Sequence, residues 1–404
     1  MRVLSLLATL AAVLGGAVAL AAEPMPVGDQ RFPDFSWDTI PLYMHVRKAT
    51  AFTAEELDYL ASFPLVTLEK TTGLQSSGST DEGTLVAAQA IKERNPRTKV
   101  LFYRNVLVHY GGYSFDDRLG QIPHPFLIDK RGDTRLIRNV SEAYDLANPQ
   151  VVDWWVDTAT TVCRHDAIDG LFLDGNVKAL TPYLARQLPP GKKEAVTAGY
   201  RDMISRVRAD IPESDLLIAN IIRASFFPDA GVEYLESFDG SYIEGFDVVV
   251  GKMTEAELVA KGIAAFQQAA RAGKIIAMTL GLGESAADAT KIDDARTPVN
   301  ELAAIDERAN YLIGLFLICA ERSSYLYLHD GYSADLRRGE CQSKVWLKRF
   351  PQYDKPLGAP LGPASQAGFV YKRRFEHLDL LVDLERKQAT LEWRTPDDVV
   401  DRPR

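Results

Sequence analysis

The stretch Ile168-Asp169-Gly170-Leu171-Phe172-Leu173-Asp174-Gly175-Asn176 runs an apolar strand into a carboxylate and follows it at once with Gly and Asn. In parallel α/β folds, ligands bind and chemistry occurs at the C-terminal ends of strands, so an acid there faces a pocket. The other role open to Asp174 is to cap the following turn. A second acid ends another apolar run, Gly240 to Glu244, and is flanked by Tyr242 and Phe246. Two carboxylates across a cleft suit cleavage of a glycosidic bond. One is ionised to attack or to activate water, and the other holds a proton for the leaving oxygen. Burial raises the second pKa, and hydrogen bonds from Asn or Arg keep the first low. Asp174 and Glu244 are the leading pair. The rival proton donors are Glu69, which has Lys70 beside it, and Glu284, which lies in a loop after Gly281-Leu282-Gly283.

Side chains far apart in sequence converge only if a scaffold brings strand ends together. Eight short apolar or β-branched runs recur: Pro41 to Lys48, Leu65 to Glu69, Val100 to Asn105, Ile168 to Asp174, Asp215 to Ile221, Gly240 to Glu244, Ile275 to Leu280 and Tyr325 to His329. Helical patterns separate most of them: Thr53 to Ser62, Asp81 to Arg94, Val151 to Arg164, Glu194 to Ala209, Glu255 to Ala272 and Val299 to Ala320. Alternation of this kind predicts parallel strands with helical crossovers, and eight units fit a closed (β/α)8 TIM barrel. The alternative is a doubly wound open sheet. Neither Gly-x-Gly-x-x-Gly after the first strand nor Gly-x-x-x-x-Gly-Lys-[Ser/Thr] occurs, so no nucleotide-binding fingerprint supports it. Between Ile222 and Asp239 only an abbreviated crossover fits.

In that register one mouth collects Glu69, Asn105, Asp174 with Asn176, Asn220 with Arg223, Glu244, and His329 with Asp330. Asn105, Asn176, Asn220 and Arg223 would orient sugar hydroxyls or hold the nucleophile, and Tyr242 offers desolvation and stacking. The segment from Val106 to Asn148 is too long for a simple loop and predicts a hairpin, Phe126 to Asp129 turning at Lys130-Arg131-Gly132-Asp133 into Thr134 to Ile137. Long βα insertions commonly build a substrate cleft. Tyr110 and Tyr113 either put aromatic faces beside a ligand or pack the insertion onto the barrel. Trp154 and Trp155 lie in a helical pattern, where core packing accounts for at least one better than sugar binding does.

Met1-Arg2, the apolar run Val3 to Leu20 and the small residues Ala19-Leu20-Ala21-Ala22 have the layout of a secretory signal peptide over residues 1–22. That predicts a secreted or periplasmic chain with no membrane attachment after cleavage. A net charge of −9 and 46% hydrophobic residues describe an acidic globular protein, and argue against a nucleic-acid surface, which needs clustered Lys and Arg. Of the three cysteines, Cys163, Cys319 and Cys341, the last two are the nearer pair. Cys319 sits in an apolar helical run, where a buried thiol is the competing expectation. The six histidines, His45, His109, His124, His165, His329 and His377, form no zinc motif, so no metal or cofactor is expected. The one metal grouping a barrel would create is His45 and His329 with Asp174. No Gly-x-Ser-x-Gly elbow is present. Asn139-Val140-Ser141 is a sequon that matters only in a glycosylating host.

After a Pro- and Gly-rich linker from Pro356 to Gly368, alternating segments Phe369 to Phe375, Leu378 to Leu384 and Ala389 to Trp393 predict a small antiparallel β appendage of three strands, turning at Glu385-Arg386-Lys387. The organisation expected is a signal over 1–22, a barrel over 23–355 with the insertion at 106–148, and linker plus β domain over 356–404.

The array Tyr103-Arg104-Asn105, Tyr144-Asp145-Leu146-Ala147-Asn148-Pro149 before a Trp-containing helix, and Asp169 through Asn176, together with the terminal β segment, resembles the hypothetical glycosyl hydrolases of the TIM-barrel type. It is also similar to dextranase-like and α-galactosidase-like retaining barrels. That resemblance implies a glycosidase acting on an oligo- or polysaccharide, with the nucleophile at Asp174 and the acid/base at Glu244. The competing expectation is a carbohydrate-binding or surface-interaction protein that keeps the barrel without turnover.

Overall fold

The computed structural model describes residues 31–246, 252–282, 299–335, 342–343 and 345–394. The expected signal segment, Glu284 and Cys341 lie outside the described residues. Eight strands form one sheet in sequence order: β1 (Met44–Val46), β2 (Leu65–Leu68), β3 (Lys99–Asn105), β4 (Gly170–Asp174), β5 (Leu216–Asn220), β6 (Gly240–Ile243), β7 (Ile275–Gly281) and β8 (Ser324–His329). Every neighbouring pair is parallel. The sheet curls into a nearly closed barrel. Between β8 and β1 the ladder thins to isolated bridges, Leu42 with Leu326 and Arg47 with Ser333, and Leu326 N–H donates to the Pro41 carbonyl at 2.9 Å. The strands are buried on both faces, which is why they read in sequence as apolar runs with little alternation.

Local signals set the helix starts. Thr53 and Thr254 form capping boxes with Glu56 and Glu257, and Asn148 caps the helix Pro149–Cys163, with Pro149 in its first turn. The crossover from β5 to β6 is the short 3-10 turn Val232–Ser237, as the spacing requires.

The insertion departs from the expected hairpin. Asp129 Oδ1 accepts the Arg131 and Asp133 N–H groups at 2.7 and 2.9 Å, so the turn forms. The flanking segments nevertheless do not pair with each other. Val108–His109 pairs with Glu142–Ala143, Phe126 bridges Tyr144, and Leu127 N–H donates to the Ala143 carbonyl at 2.8 Å. Buried Leu127 is thereby drawn onto the stem of the insertion, where its apolar surface is covered.

The C-terminal sheet is antiparallel in the order β9 (Ser365–Ala367), β10 (Val370–Arg374), β11 (Leu378–Asp383) and β12 (Gln388–Trp393). It has four strands where three were expected. The extra one, Ser-Gln-Ala, is exposed at every position and so carries no hydrophobic alternation. The sheet lies on the helix Val299–Cys319. Arg373 Nη1 donates to the carbonyls of Leu317 at 2.9 Å, Ile318 at 3.3 Å and Ala320, at the end of that helix. Barrel on one side and sheet on the other account for the second half of that helix, from Tyr311 to Cys319, being buried all round. Cys319 is buried there, and burial pushes its thiol pKa up.

Candidate active site

Alternation along the barrel strands points His45, Tyr103, Asn105, Phe172, Asp174, Asn220, Tyr242, Thr279 and His329 inward. Parallel register sets Asn105 directly beside Asp174. Among the described residues, the hydrogen bonds to the Asp174 carboxylate all come from donors. Tyr103 Oη at 2.7 Å and Asn105 Nδ2 at 3.0 Å reach Oδ2, while the Gly175 N–H at 2.7 Å and Asn220 Nδ2 at 3.1 Å reach Oδ1. An ionised carboxylate, acceptor only, matches this set. Asn105 is itself fixed, since its Oδ1 accepts the Leu107 and Val108 N–H groups at 3.0 and 2.6 Å. Gly175 is dictated by the same geometry. Its φ is +84°, and a Cβ there would lie 2.6 Å from Asn105 Oδ1.

Glu244, one residue beyond β6, presents a side chain 37% exposed. Its Oε1 accepts from Asn220 Nδ2 at 3.0 Å and from Arg223 Nη2, and its Oε2 meets the Tyr242 and Tyr332 hydroxyls, each at 3.4 Å. Because one amide nitrogen touches both acids, Asp174 Oδ1 and Glu244 Oε1 are no more than about 6 Å apart. Burial pushes the Glu244 pKa up, but Arg223, the Asn220 hydrogen bond and, more weakly, His45 and Lys70 outweigh it and bring it down to about 2. This reverses the burial-raised acid expected from sequence.

Glu69 behaves in the same way. Burial would raise it, yet Arg47 at 2.7 Å and the adjacent Lys70 bring it down to about 2, so it is an ion-paired carboxylate. Lys70 Nζ also sits over the rings of Tyr103 and Tyr110, 5.0 and 5.1 Å from their centroids. His45 lies under the cleft against Phe172, Tyr242 and Tyr332. Burial lowers both His45 and His329 to about 4, which keeps them neutral at ordinary pH. Among the described residues no three His, Cys, Asp or Glu side chains come together as a metal site.

The structure therefore gathers Asp174, Glu244, Glu69, Asn105, Asn220, Arg223, Tyr242 and His329 at one mouth, with Tyr110, 44% exposed, at its edge. Three residues expected there lie elsewhere. Gly175 turns the chain so that Asn176 is buried in the wall, donating to the Leu173 carbonyl at 2.7 Å and accepting from Tyr200 Oη at 2.8 Å. Tyr113 is buried, stacked on Phe115 and lying 5.1 Å from the Arg104 guanidinium. Trp154 and Trp155 complete that cage around Arg104, away from the cleft. Asp330 is buried and accepts from Ser343 Oγ at 2.5 Å. Sequence reasoning overlooked Tyr332 and Arg47, which no motif marks, and gave Tyr103 no role of its own, although strand alternation places it beside Asn105.

Residues 92–379 match the family model described as hypothetical glycosyl hydrolase family 15. No curated protein matches the chain. Among solved structures, the GH36 alpha-galactosidase AgaA from Geobacillus stearothermophilus is 11% identical, with a TM-score of 0.47 over 87% of this chain and 49% of its own. The chain spans about half the length of that enzyme. An alpha-amylase from Lactobacillus plantarum is 14% identical, with a TM-score of 0.46 over 85% of this chain and 87% of its own. An Anoxybacillus alpha-amylase is 12% identical, with a TM-score of 0.46 over 86% of this chain and 87% of its own.

Proposed function

The chain belongs to hypothetical glycosyl hydrolase family 15, and from that membership we propose that it cleaves O-glycosidic bonds of an oligo- or polysaccharide by a retaining double displacement. The observation that supports the mechanism is the Asn220 amide, which bridges Asp174 and Glu244 and brings one oxygen of each to within about 6 Å of the other, compatible with the short carboxyl separation of retaining enzymes. Asp174, oriented by four donors, attacks the anomeric carbon. Glu244 delivers a proton to the leaving oxygen and later takes one from water. As the site stands, Arg223 holds Glu244 ionised, so productive binding must draw Arg223 away from Oε1 and let burial raise the carboxyl. Tyr110 and Lys70 bind sugar hydroxyls at the mouth, while Asn105 holds the nucleophile. The reaction consumes water and needs no cofactor. The apolar run that ends in Ala21-Ala22 fits export, and we place the mature protein outside the cytoplasm or in the periplasm.

The test is incubation with a panel of activated 2-deoxy-2-fluoro glycosides followed by peptide mass spectrometry. A covalent adduct on Asp174 is expected. Turnover with inverted product configuration would overturn the mechanism. One observation favours a second reading, a carbohydrate-binding protein without turnover: both Glu69 and Glu244 are held near 2, which leaves neither ready as an acid at neutral pH. Sugar binding by the parent with no hydrolysis across a broad glycan panel would favour that alternative.

A further inference from the structure

We propose that Tyr332 is the positioning residue of the acid/base carboxyl: its hydroxyl, backed by His329, holds Oε2 of Glu244, the oxygen that Asn220 leaves free for the proton, and stabilises the charge that oxygen gains as the proton departs. The inference rests on Glu244 being the acid/base of the proposed reaction. The two oxygens of Glu244 are unlike. Oε1 is taken by Asn220 and Arg223, whereas among the described residues Oε2 meets only the hydroxyls of Tyr242 and Tyr332, at the outer limit of hydrogen bonding. Those hydroxyls lie 2.9 Å from each other, and each has one hydrogen. With Thr279 donating its hydroxyl hydrogen to Tyr242, one tyrosine hydrogen is used between the pair and one remains for the carboxylate.

His329 decides which. Its ring stacks on Tyr332 with centroids 4.4 Å apart, its Nε2 lies 3.4 Å from the Tyr332 hydroxyl, and its buried Nδ1 has no hydrogen-bond partner among the described residues. The neutral ring carries one N–H. With that proton on Nε2 it is used toward Tyr332, whereas on Nδ1 it would be an unpaired buried donor. Tyr332 then accepts from His329 and Tyr242 and donates its own hydrogen to Oε2, so the whole chain of hydrogens runs toward that oxygen. The other charged groups facing Glu244 are Arg223 from the β5 loop, Lys70 after β2 and Asp174 at the end of β4, with neutral His45 on β1. None of them contacts Oε2. In the transfer step the Oε2–H bond breaks as the leaving oxygen gains that proton. The electron pair of the cleaved C–O bond goes to the leaving oxygen, and Asp174 forms the new bond to carbon.

The first experiment needs no sugar. Long-range proton–nitrogen NMR of the full chain at neutral pH, with His329 assigned through His329→Gln, should show the Nε2–H tautomer. An Nδ1–H or cationic ring would overturn the chain of donors, and because this spectrum is taken on the parent it stands even if a variant fails to fold. The second uses phenyl and 2,4-dinitrophenyl glycosides of the hexose released by the parent. Tyr332→Phe should lower kcat on the phenyl glycoside about tenfold, the worth of one hydrogen bond to a charged group. KM and the dinitrophenyl rate should stay within about twofold. Equal losses on both substrates would make Tyr332 merely structural. A parent that cleaves no glycoside counts against the hydrolase reading, while the NMR result still bears on the positioning chain.

Discussion

The Asn220 amide nitrogen donates to both acids of the cleft, 3.1 Å from Asp174 Oδ1 and 3.0 Å from Glu244 Oε1. Three successive strands, β4, β5 and β6, thus end in one hydrogen-bonded triad. Removing the shared donor leaves two carboxylates facing each other with less between them. Asn220→Ala should therefore lower kcat/KM on the order of a hundredfold, as expected for loss of a preorganised donor to charge. Asn220→Asp adds a third carboxylate and should lower Tm as well as activity. Steady-state kinetics alongside thermal melts separate the two effects, and a fully active Asn220→Ala protein would count against the bridging role.

Arg223 sets the protonation of Glu244. Burial pushes that carboxyl up, and Arg223 is the largest influence bringing it down to about 2. In Arg223→Met the burial effect remains while its main opponent is gone, so the Glu244 pKa rises and the protonated acid survives to higher pH. The alkaline limb of the kcat/KM profile should move upward relative to the parent. An unmoved limb would show that Arg223 does not govern the acid.

The barrel was legible in the sequence because its strands are buried on both faces and read as continuous apolar runs, separated by helical patterns whose starts Thr53, Asn148 and Thr254 cap in the structure. Asp174, Asn105 and Asn220 stood out as polar groups at the ends of such runs. Less was legible where a turn redirects the chain. Asn176 follows the nucleophile candidate in sequence but points into the wall, because Gly175 has a positive φ. Tyr332 lies in a loop with no periodicity, and only barrel closure beside β1 brings it over Glu244. Neither Asn176 nor Tyr332 could be placed by pattern alone, since a loop's path is set by tertiary contacts.

Stability should depend on pH in two separable windows. Burial raises Asp215 to about 6, so the folded state favours its protonated form. That contribution is full below the unfolded value and is lost as pH rises through about 6. Asp215→Asn should therefore stabilise the protein above pH 6, by on the order of 2 kcal/mol, with the gain vanishing toward pH 4. Glu69 is the opposite case: held near 2 by Arg47 and Lys70, it stabilises above its unfolded value, and this is lost as pH falls toward 2. Glu69→Gln should cost about 3 kcal/mol at neutral pH by removing the buried charge that Arg47 and Lys70 share. Denaturant melts across the pH range give both differences, and a pH-independent Asp215→Asn effect would refute the first.

The C-terminal sheet is held close to the barrel by a small residue. A Cβ at Gly314, on the helix Val299–Cys319, would lie 2.7 Å from the Ala389 Cβ and 3.1 Å from Val382 Cγ2. Gly314→Leu should force the sheet off the helix, exposing apolar surface on both, and lower Tm by several degrees, with a gain in binding of a hydrophobic dye. Gly314→Ala is the milder case and should show a smaller change in the same direction. If Gly314→Leu melts like the parent, the sheet does not pack as tightly as these distances require.

The two acids should separate by leaving group. An activated aryl leaving group departs with little protonation, whereas an alkyl or sugar alcohol needs a proton to leave. Glu244→Ala should therefore lower kcat on poor leaving groups by a thousandfold or so, within the range general acid catalysis supplies, and spare the first step for dinitrophenyl glycosides. Its second step, which needs a base to activate water, should become limiting, so a burst of phenol is expected, and azide should restore turnover by attacking without a base. Asp174→Ala should lose activity with every leaving group, because no bond to carbon can form. The Arg223 contact sharpens the comparison. Removing Glu244 leaves that cation unpaired near the leaving group, so Glu244→Gln, which keeps an acceptor oxygen for Arg223, should fold more stably than Glu244→Ala and be equally poor on unactivated substrates. Equal sensitivity of both leaving-group classes to Glu244→Ala would remove Glu244 from proton transfer and send the search for the donor elsewhere in the cleft.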